Sequence, residues 1–533
     1  MNGFSETIFL NTRTIRTATL VAGLMLATQL QALTFVVNYN SDDLSDPFPD
    51  DGVCETSLGS GQCTVRAAIE SANDTPDGPH TVEIPYLPGD SYPVWSATGL
   101  QAFRVMTIRG TGAGRAVIQG GLFLDGGMIQ AGEAMTIENL ELRPDTTSGT
   151  SVSGLLVNSP NTVQASDLTI IPGPGGIGPG IYVTGAGYLT CRRCVIRDGG
   201  SVGVRVVNFG NLNLIDSRIT NNVNIEGNQG AGIRLDSGNL LIRDSLIDNN
   251  YASGFAPLFR GSGGGIYTQP GSNLHVINST ISGNRANTDG GGIYANGSVL
   301  LENATITRNT ANADDDITPG SGGGIYINDF TVVEARNSII HGNFLPCPPG
   351  VPFCVPDGRN CGDEQGGTIG LASFGWVMVG TDAHCPIMDL TLEPNYTSTN
   401  FPNLGPLTQL GGLHPVHPID STGLEADGGN PDGCTFELVT SGGTVDFPLI
   451  EDQRGAPRPM DSDPNPSDGN SCDIGAYEAK CFGDDPDGDY VGSQCDVCPN
   501  DFDPLQEDSN GNGIGDVCEG PSDVFFFSGF DNQ

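Results

Sequence analysis

The sequence predicts an all-β protein built as a parallel β-helix, and three observations carry that reading. A phrase of the Gly-Ile-Tyr kind opens six times between residues 180 and 343. Each opening is followed at a nearly constant distance by a strand-like run that closes on a small polar turn. The runs themselves, such as Leu274-His-Val-Ile-Asn-Ser-Thr-Ile281, are rich in β-branched residues in apolar alternation and lack a 3.6-residue period.

The openings are Gly180-Ile-Tyr182, Gly203-Val-Arg205, Gly232-Ile-Arg234, Gly265-Ile-Tyr267, Gly292-Ile-Tyr294 and Gly324-Ile-Tyr326, and the closings centre on Ile196, Ile219, Ile247, Ile281, Ile306 and Ile340. From opening Ile or Val to closing Ile the separations are 15, 15, 14, 15, 13 and 15 residues, but from closing to next opening they are 8, 14, 19, 12 and 19. One half of each coil is therefore rigid, and the other bulges as loops on one side, commonly the binding side of a solenoid. Small residues stand two before the closing Ile (Cys194, Ser217, Ser245, Ser279, Ala304, Ser338), where they fit a narrowing interior. Three after it stand Asn222, Asn250, Asn284, Asn309 and Asn343. Asn suits a turn because it tolerates left-handed φ, and stacked amides can hydrogen-bond from coil to coil. Less regular coils are expected upstream at Met106-Thr-Ile-Arg-Gly110, Met135-Thr-Ile-Glu-Asn-Leu140 and Ala165-Ser-Asp-Leu-Thr-Ile170.

These phrases, Gly263-Gly-Gly-Ile-Tyr267 and Asn278-Ser-Thr-Ile-Ser-Gly-Asn284 in particular, resemble the right-handed parallel β-helix repeats of a superfamily that holds pectin-degrading, pectate-lyase-like enzymes and many bacterial surface proteins. The resemblance implies a fold and leaves function open. The repeats are assigned to residues 81–345.

An exposed first coil would leave an unpaired strand edge, so residues 33–80 are expected to cap it. They contain a helix-compatible run, Gln62-Cys-Thr-Val-Arg-Ala-Ala-Ile-Glu-Ser-Ala-Asn73, which resembles the Cys-Ser-Leu-Arg-Glu-Ala motif at the start of exported bacterial β-helix proteins. Before the cap, Arg13 and Arg16 precede the apolar run Ala18–Ala27 and a cleavage-like Leu30-Gln-Ala32, so residues 1–32 read as a signal peptide and the protein as secreted or displayed at the cell surface. The run is too short to span a bilayer, and no later segment is apolar enough, so the protein is not expected to be an integral membrane protein. Export favours disulfides for the fourteen cysteines, in local sets that include Cys54 with Cys63 and Cys434 with Cys472, while Cys191 and Cys194 form a C-x-x-C that is read as structural rather than as redox-active or half a zinc site, since no second C-x-x-C lies in the same repeat.

Residues 346–480 form a Cys- and Pro-rich continuation and a closing segment. The series Asp427-Gly-Gly-Asn430, Asp452-Gln-Arg-Gly-Ala-Pro-Arg458 and Cys472-Asp-Ile-Gly-Ala-Tyr-Glu478 resembles the choice-of-anchor segment of bacterial β-helix proteins. Arg454, Arg458, Asp473 and Glu478 within it are read as buried ion pairs rather than as acid–base catalysts.

The chain carries 63 acidic residues against 22 basic ones, a formal charge of -41, and Lys480 is its only lysine, which excludes nucleic acid as a partner. From Cys481 to Gln533 there are 13 acids and no Lys or Arg. Asp485-Pro-Asp-Gly-Asp489 and Asp508-Ser-Asn-Gly-Asn-Gly-Ile-Gly-Asp516 place oxygen-bearing side chains at alternate positions of Gly-turned loops, the ligand pattern of Ca²⁺. Flanking Gly515, Cys518 and Pro521 argue against the helices of an EF-hand, although Glu519 stands at the twelfth position from Asp508. Residues 481–520 instead resemble a thrombospondin type 3 repeat. That resemblance assigns Ca²⁺ to Asp508, Asn510, Asn512 and Asp516, and more loosely to Asp485, Asp487 and Asp489, where the motif's ending is altered to Gly492-Ser-Gln-Cys495. Residues 521–533 form an apolar tail, Val524-Phe-Phe-Phe-Ser-Gly-Phe530.

Two functions fit. In adhesion or glycan binding, the residue after each opening Ile faces outward and forms the column Tyr182, Arg205, Arg234, Tyr267, Tyr294, Tyr326. Tyr267, Tyr294 and Tyr326 would then offer an aromatic strip to a polysaccharide or cell-surface glycan, or else simply stabilise the coil surface by stacking. The alternative is a polysaccharide lyase or glycoside hydrolase acting on acidic polysaccharide. A lyase base would have to come from Arg205, Arg234, Arg243, Arg260 or Arg285, none of which lies in a motif. Asn287-Thr-Asp-Gly290 begins like the polygalacturonase signature but sits inside an ordinary repeat, so Asp289 is read as a turn residue and no catalytic residue is assigned.

Overall fold

Short β-branched strands joined by tight turns wind into three long parallel sheets and one short three-stranded parallel sheet in a computed structural model that describes residues 32–519 apart from internal segments, those longer than five residues being 125–134, 145–152, 347–359, 363–369 and 461–470. Residues 1–31, which hold nearly all of the expected signal peptide, lie outside the described residues, as do Lys480, Cys347, Cys354, Cys481, Cys495 and the Phe-rich tail. The fold is an all-β, right-handed parallel β-helix. The first sheet has 13 strands, from Thr34–Val36 to Ile387–Asp389. The second has 12, from Tyr92–Pro93 to Tyr396–Ser398, and the third has 10, from Leu100–Ala102 to Cys361–Gly362.

Register follows the repeat residue for residue. Val204, Ile233, Ile266, Ile293 and Ile325 stack in the third sheet, and Ile219, Ile247, Ile281, Ile306 and Ile340 stack in the second. All ten are fully buried, each stabilising by roughly 1.5–3 kcal/mol relative to exposure. The opening Gly is a close-approach position: a Cβ on Gly292 would lie 2.5 Å from the Gly324 carbonyl oxygen and 3.0 Å from Asn309 Nδ2.

Two polar ladders run inside the coils, and both differ from the roles expected of them. Asn222, Asn250, Asn284, Asn309 and Asn343 do stack, but they are not the left-handed residues. Positive φ falls one residue earlier, at Asn221, Asn249, Gly283, Arg308 and Gly342. The ladder Asn instead points inward, where its Oδ1 accepts both the backbone N–H and the Nδ2 of the Asn one coil before. Asn250 N and Nδ2 each reach Asn284 Oδ1 at 3.0 Å, and the series ends at Asn360. The small column is likewise more than a steric fit. Ser217, Ser245, Ser279 and Ser338 accept the N–H of Cys194, Ser217, Ser245 and Ala304 at 3.0–3.1 Å.

The helix-compatible run near the N-terminus is the helix α1 (Val65–Asp74). Thr64 caps it, its Oγ1 accepting from Ala67 N at 3.0 Å. Its apolar face, Val65, Ala68, Ile69 and Ala72, joins Phe35, Val82 and Leu100 in the main core. The Cys54–Cys63 disulfide braces this end, and Cys191–Cys194, Cys361–Cys385, Cys434–Cys472 and Cys498–Cys518 are also bonded.

Residues 404–479 run back along the flank of the solenoid over the second sheet. His414 bonds the Asp216 carbonyl, His417 the Ser282 hydroxyl, and Gln453 both Thr280 and the Ser245 carbonyl. Ala476 N donates to Thr305 Oγ1, and Asn337 Nδ2 to the Asp473 carbonyl. A hairpin, Thr435–Thr440 with Gly443–Pro448, lies over part of the first sheet, where Arg336 meets Glu437 at 2.6 Å. The acidic tail joins this flank strap through Tyr490, which packs with Leu404, Leu410, Val416 and Tyr477.

Candidate functional site

The acidic tail gathers carboxylates where no Arg or Lys is available in its sequence. Oxygens of Asp485, Asp487 and Asp489 lie within 4.8 Å of one another. Each closes an Asp-turn: Asp485 Oδ1 accepts Gly488 N at 2.8 Å, Asp487 Oδ1 accepts Asp489 N at 3.2 Å, and Asp489 Oδ1 accepts Val491 N at 2.8 Å. The fold adds members that spacing did not assign. Asp496 and Asp503 are buried beside Asp489, with Gln506 Nε2 donating to Asp496 Oδ1 at 3.1 Å and Asp503 N to Asp489 Oδ2 at 3.0 Å. Burial, helped by the charges of Asp487 and Asp496, pushes the Asp489 carboxyl up to about 6. Asp487 Oδ2 and Asp496 Oδ2 are buried and have no hydrogen-bond partner. Clustered carboxylates with such oxygens and hard-oxygen chemistry fit a bound Ca²⁺.

The second loop is arranged differently. Asp508 accepts from the backbone of Asn512 and Gly513, Asn512 Oδ1 from Ile514 N, and Asp516 Oδ1 from Ser509 N. Asn510 and Asn512 both turn their amide nitrogens to Glu519 Oε1, at 2.8 and 2.6 Å. Asp508, Asp516 and Glu519 do not form a three-carboxylate group of the kind seen in the first loop. Glu519 was visible as a twelfth-position residue, whereas Asp496 and Asp503 carried no signal beyond their position beside cysteine and proline.

The tyrosine column has the register expected of it. Tyr267 and Tyr294 stack at 4.6 Å between ring centroids, and Tyr294 and Tyr326 at 4.8 Å. Tyr267 and Tyr326 are only 6% and 4% exposed, and the Tyr267 hydroxyl is held by Gln229 Nε2 at 2.8 Å. The rings thus spend their faces on one another, and Tyr294 is the partly open member.

A more exposed array lies on the first sheet. Tyr188, Asn211, Asn239, Asn273 and Ser298 occupy one column in register. Asn239 Nδ2 donates to Asn211 Oδ1 at 2.6 Å and Asn273 Nδ2 to Asn239 Oδ1 at 2.9 Å. Tyr188 is 36% exposed, and beside Asn211 stands Phe209, 74% exposed with φ 65°.

The arginines considered as lyase bases are engaged. Arg205 and Arg234 share Asp236 at 2.8 and 2.7 Å, and Arg243 meets Asp244 at 2.8 Å. Arg260 meets Asp314 at 3.5 Å, and Arg285 lies over the Tyr251 ring while donating to the Ala313 carbonyl. Asp289 Oδ1 accepts Ser321 N, on the next coil, at 2.8 Å. In the strap, Arg454 pairs with Asp452 at 2.7 Å and Arg458 with Glu478 at 2.9 Å, all four side chains closed to solvent. Of the four residues read from sequence as buried ion pairs, Arg458 and Glu478 do pair, whereas Arg454 takes Asp452 instead, and Asp473 accepts the backbone N–H groups of Asp427 and Ala479. Arg458 also donates to Asn278 Oδ1, which pins the strap to the coils.

Residues 118–256 and 179–363 match the family model described as the right handed beta helix region. No curated protein matches the chain. No helix among the described residues is long and apolar enough to cross a membrane.

Proposed function

We propose that this right-handed β-helix repeat protein is exported, carries Ca²⁺ in its acidic tail, and binds polysaccharide at the cell surface or outside the cell without cleaving it. The observation that carries the glycan reading is the exposed column of Tyr188, Asn211, Asn239 and Asn273 with Phe209 beside it. Its amides repeat along the solenoid at the coil spacing, about 4.8 Å, and a linear polymer is the ligand class that repeats along one axis too. Amides supply hydrogen bonds to hydroxyls, and aromatic rings supply apolar faces. Contact with a sugar through the tyrosine strip, if made, falls to the open edge of Tyr294.

Against catalysis, each arginine weighed as a base already faces a carboxylate, or an aromatic ring and a carbonyl. In the tail, Asp485, Asp487 and Asp489, joined by Asp496 and Asp503, would hold the cation. Bound Ca²⁺ would supply charge that lets these carboxylates stay ionised and close together.

The test is affinity electrophoresis of the full chain through gels containing neutral or acidic polysaccharides, with a reducing-end assay on the same polymers. Retention that falls at least tenfold in Phe209→Ala/Asn239→Ala, with no new reducing ends, is expected. Release of reducing ends would replace this reading with the enzymatic one.

A further inference from the structure

We infer that a second ligand site, for a carboxylate-bearing sugar, lies in the cleft between the solenoid corner and the start of the flank strap. The cleft has a volume of about 470 Å³ and is lined by Thr307, Arg308, His341, Gly342, Phe344, Pro402 and Leu404. That volume lies in the ~300–1,000 Å³ range of small-ligand sites. It contains a guanidinium, an imidazole and an aromatic ring, and among the described residues no Asp or Glu lines it, in a chain with 63 acidic residues. A local cationic pocket on so acidic a molecule favours an anionic group over a neutral one.

Arg308 itself points to a role. It occupies the left-handed corner at φ 56°, in the column where the other coils place Asp198, Asn221, Asn249, Gly283 and Gly342. Those residues adopt this conformation readily, and where another corner places an arginine, Arg193 at φ 52°, that side chain reaches a carboxylate, Asp167, at 2.7 Å. Arg308 Nη2 donates to the carbonyls of Leu404 and Gly405, both at 3.1 Å. Among the described residues it has no carboxylate partner, so Nε and Nη1 remain to grip a planar carboxylate. Phe344, 46% exposed, supplies an apolar face beside it, suited to the C–H side of a sugar ring. Charge and ring together select a uronate-type unit, free or at the end of a glycan.

This site lies apart from the first-sheet column and goes beyond the function proposed above. The probe is galacturonate titrated into the full chain by calorimetry, with glucose as the neutral comparison and polygalacturonate as the polymer arm. Saturable galacturonate binding is expected, at least tenfold weaker for glucose, and lost in Arg308→Gln. Because Arg308 also holds strap carbonyls, Phe344→Ala provides a second variant with an exposed side chain, expected to weaken binding at least fivefold without lowering Tm. Polymer retention that falls with Arg308→Gln assigns the site to chain units, and monomer binding alone assigns it to the free sugar acid. Equal affinity for glucose, or binding untouched by both variants, would overturn the inference and leave the first-sheet column's reading standing, since that column is tested by Phe209 and Asn239.

Discussion

Asn284 in the solenoid and Asp489 in the acidic tail are both fully buried polar side chains, and they end in opposite conditions. Asn284 takes two donors from Asn250, gives its amide to Asn309 and to the Ile247 carbonyl, and lacks nothing. Asp489 sits among Asp487, Asp496 and Asp503, and its carboxyl is pushed up by burial. The difference comes from repetition. A coil that repeats supplies, one step along the axis, the acceptor for each donor, so translation alone satisfies the polar interior. The tail does not repeat in register, and the Ca²⁺ proposed above would supply from outside the chain what its carboxylates do not find within it.

The largest way to break the self-satisfied side is Asn284→Ala. It strands the buried backbone N–H and one of the two Nδ2–H groups of Asn250, the other staying on the Ile219 carbonyl, at ~1–3 kcal/mol for each unsatisfied group, and should destabilise by about 3 kcal/mol in denaturant titration. A loss below ~1 kcal/mol would show that the ladder contributes little beyond its shape.

The strap tests whether the flank shares that property. His417 is 2% exposed, with Nδ1 at 2.8 Å from the Gly405 carbonyl and Nε2 at 2.7 Å from Ser282 Oγ. Burial, with Arg308 nearby and only partly offset by the Gly405 carbonyl and Asp248, lowers it from 6.5 to about 4. A neutral His thus contributes stability that is full above pH ~6.5 and is lost as pH falls through ~4, up to about 3 kcal/mol. His417→Gln should flatten that part of the pH–stability curve; an unchanged curve would assign the acid loss elsewhere.

On the other side of the comparison, chelation should act on the tail alone. At Ca²⁺ a hundredfold above Kd the cation adds about 2.7 kcal/mol, so a chelator should open residues 485–519 to protease while the far-ultraviolet β signal stays. Equal cleavage with and without Ca²⁺ would remove the cation from the account. The smallest effect is expected from Asn239→Ala. The same stacked amide, placed in water, should cost only ~0.5 kcal/mol, even where it matters for glycan retention.

The coils were legible because their periodicity is written into single residues. Gly292 opens where no Cβ fits, Ile281 and Ile306 recur at the depth of the core, and Tyr267, Tyr294 and Tyr326 fall in one column. The ladder Asn was legible as a stacked amide but misplaced as the left-handed residue, since spacing locates a corner to within one position and cannot say which neighbour turns inward. The first carboxylate triad, Asp485, Asp487 and Asp489, could be read because alternate positions on a turn converge locally. Asp496 and Asp503 could not, because they reach Asp489 only through the folding of the tail on itself.

The sequence by itself thus determined a parallel solenoid, its column register and the pairing of Arg454 and Arg458 with buried acids, since each depends on local pattern or on charge that burial obliges to pair, while the right hand was implied by the family resemblance. Only the tertiary structure decided that residues 404–479 run back along the flank, that two of the three stacked tyrosines are closed to solvent, and that Arg308, His341 and Phe344 share a cleft. Those outcomes depend on which surfaces meet across long stretches of chain, and no periodicity in the residues encodes such a meeting.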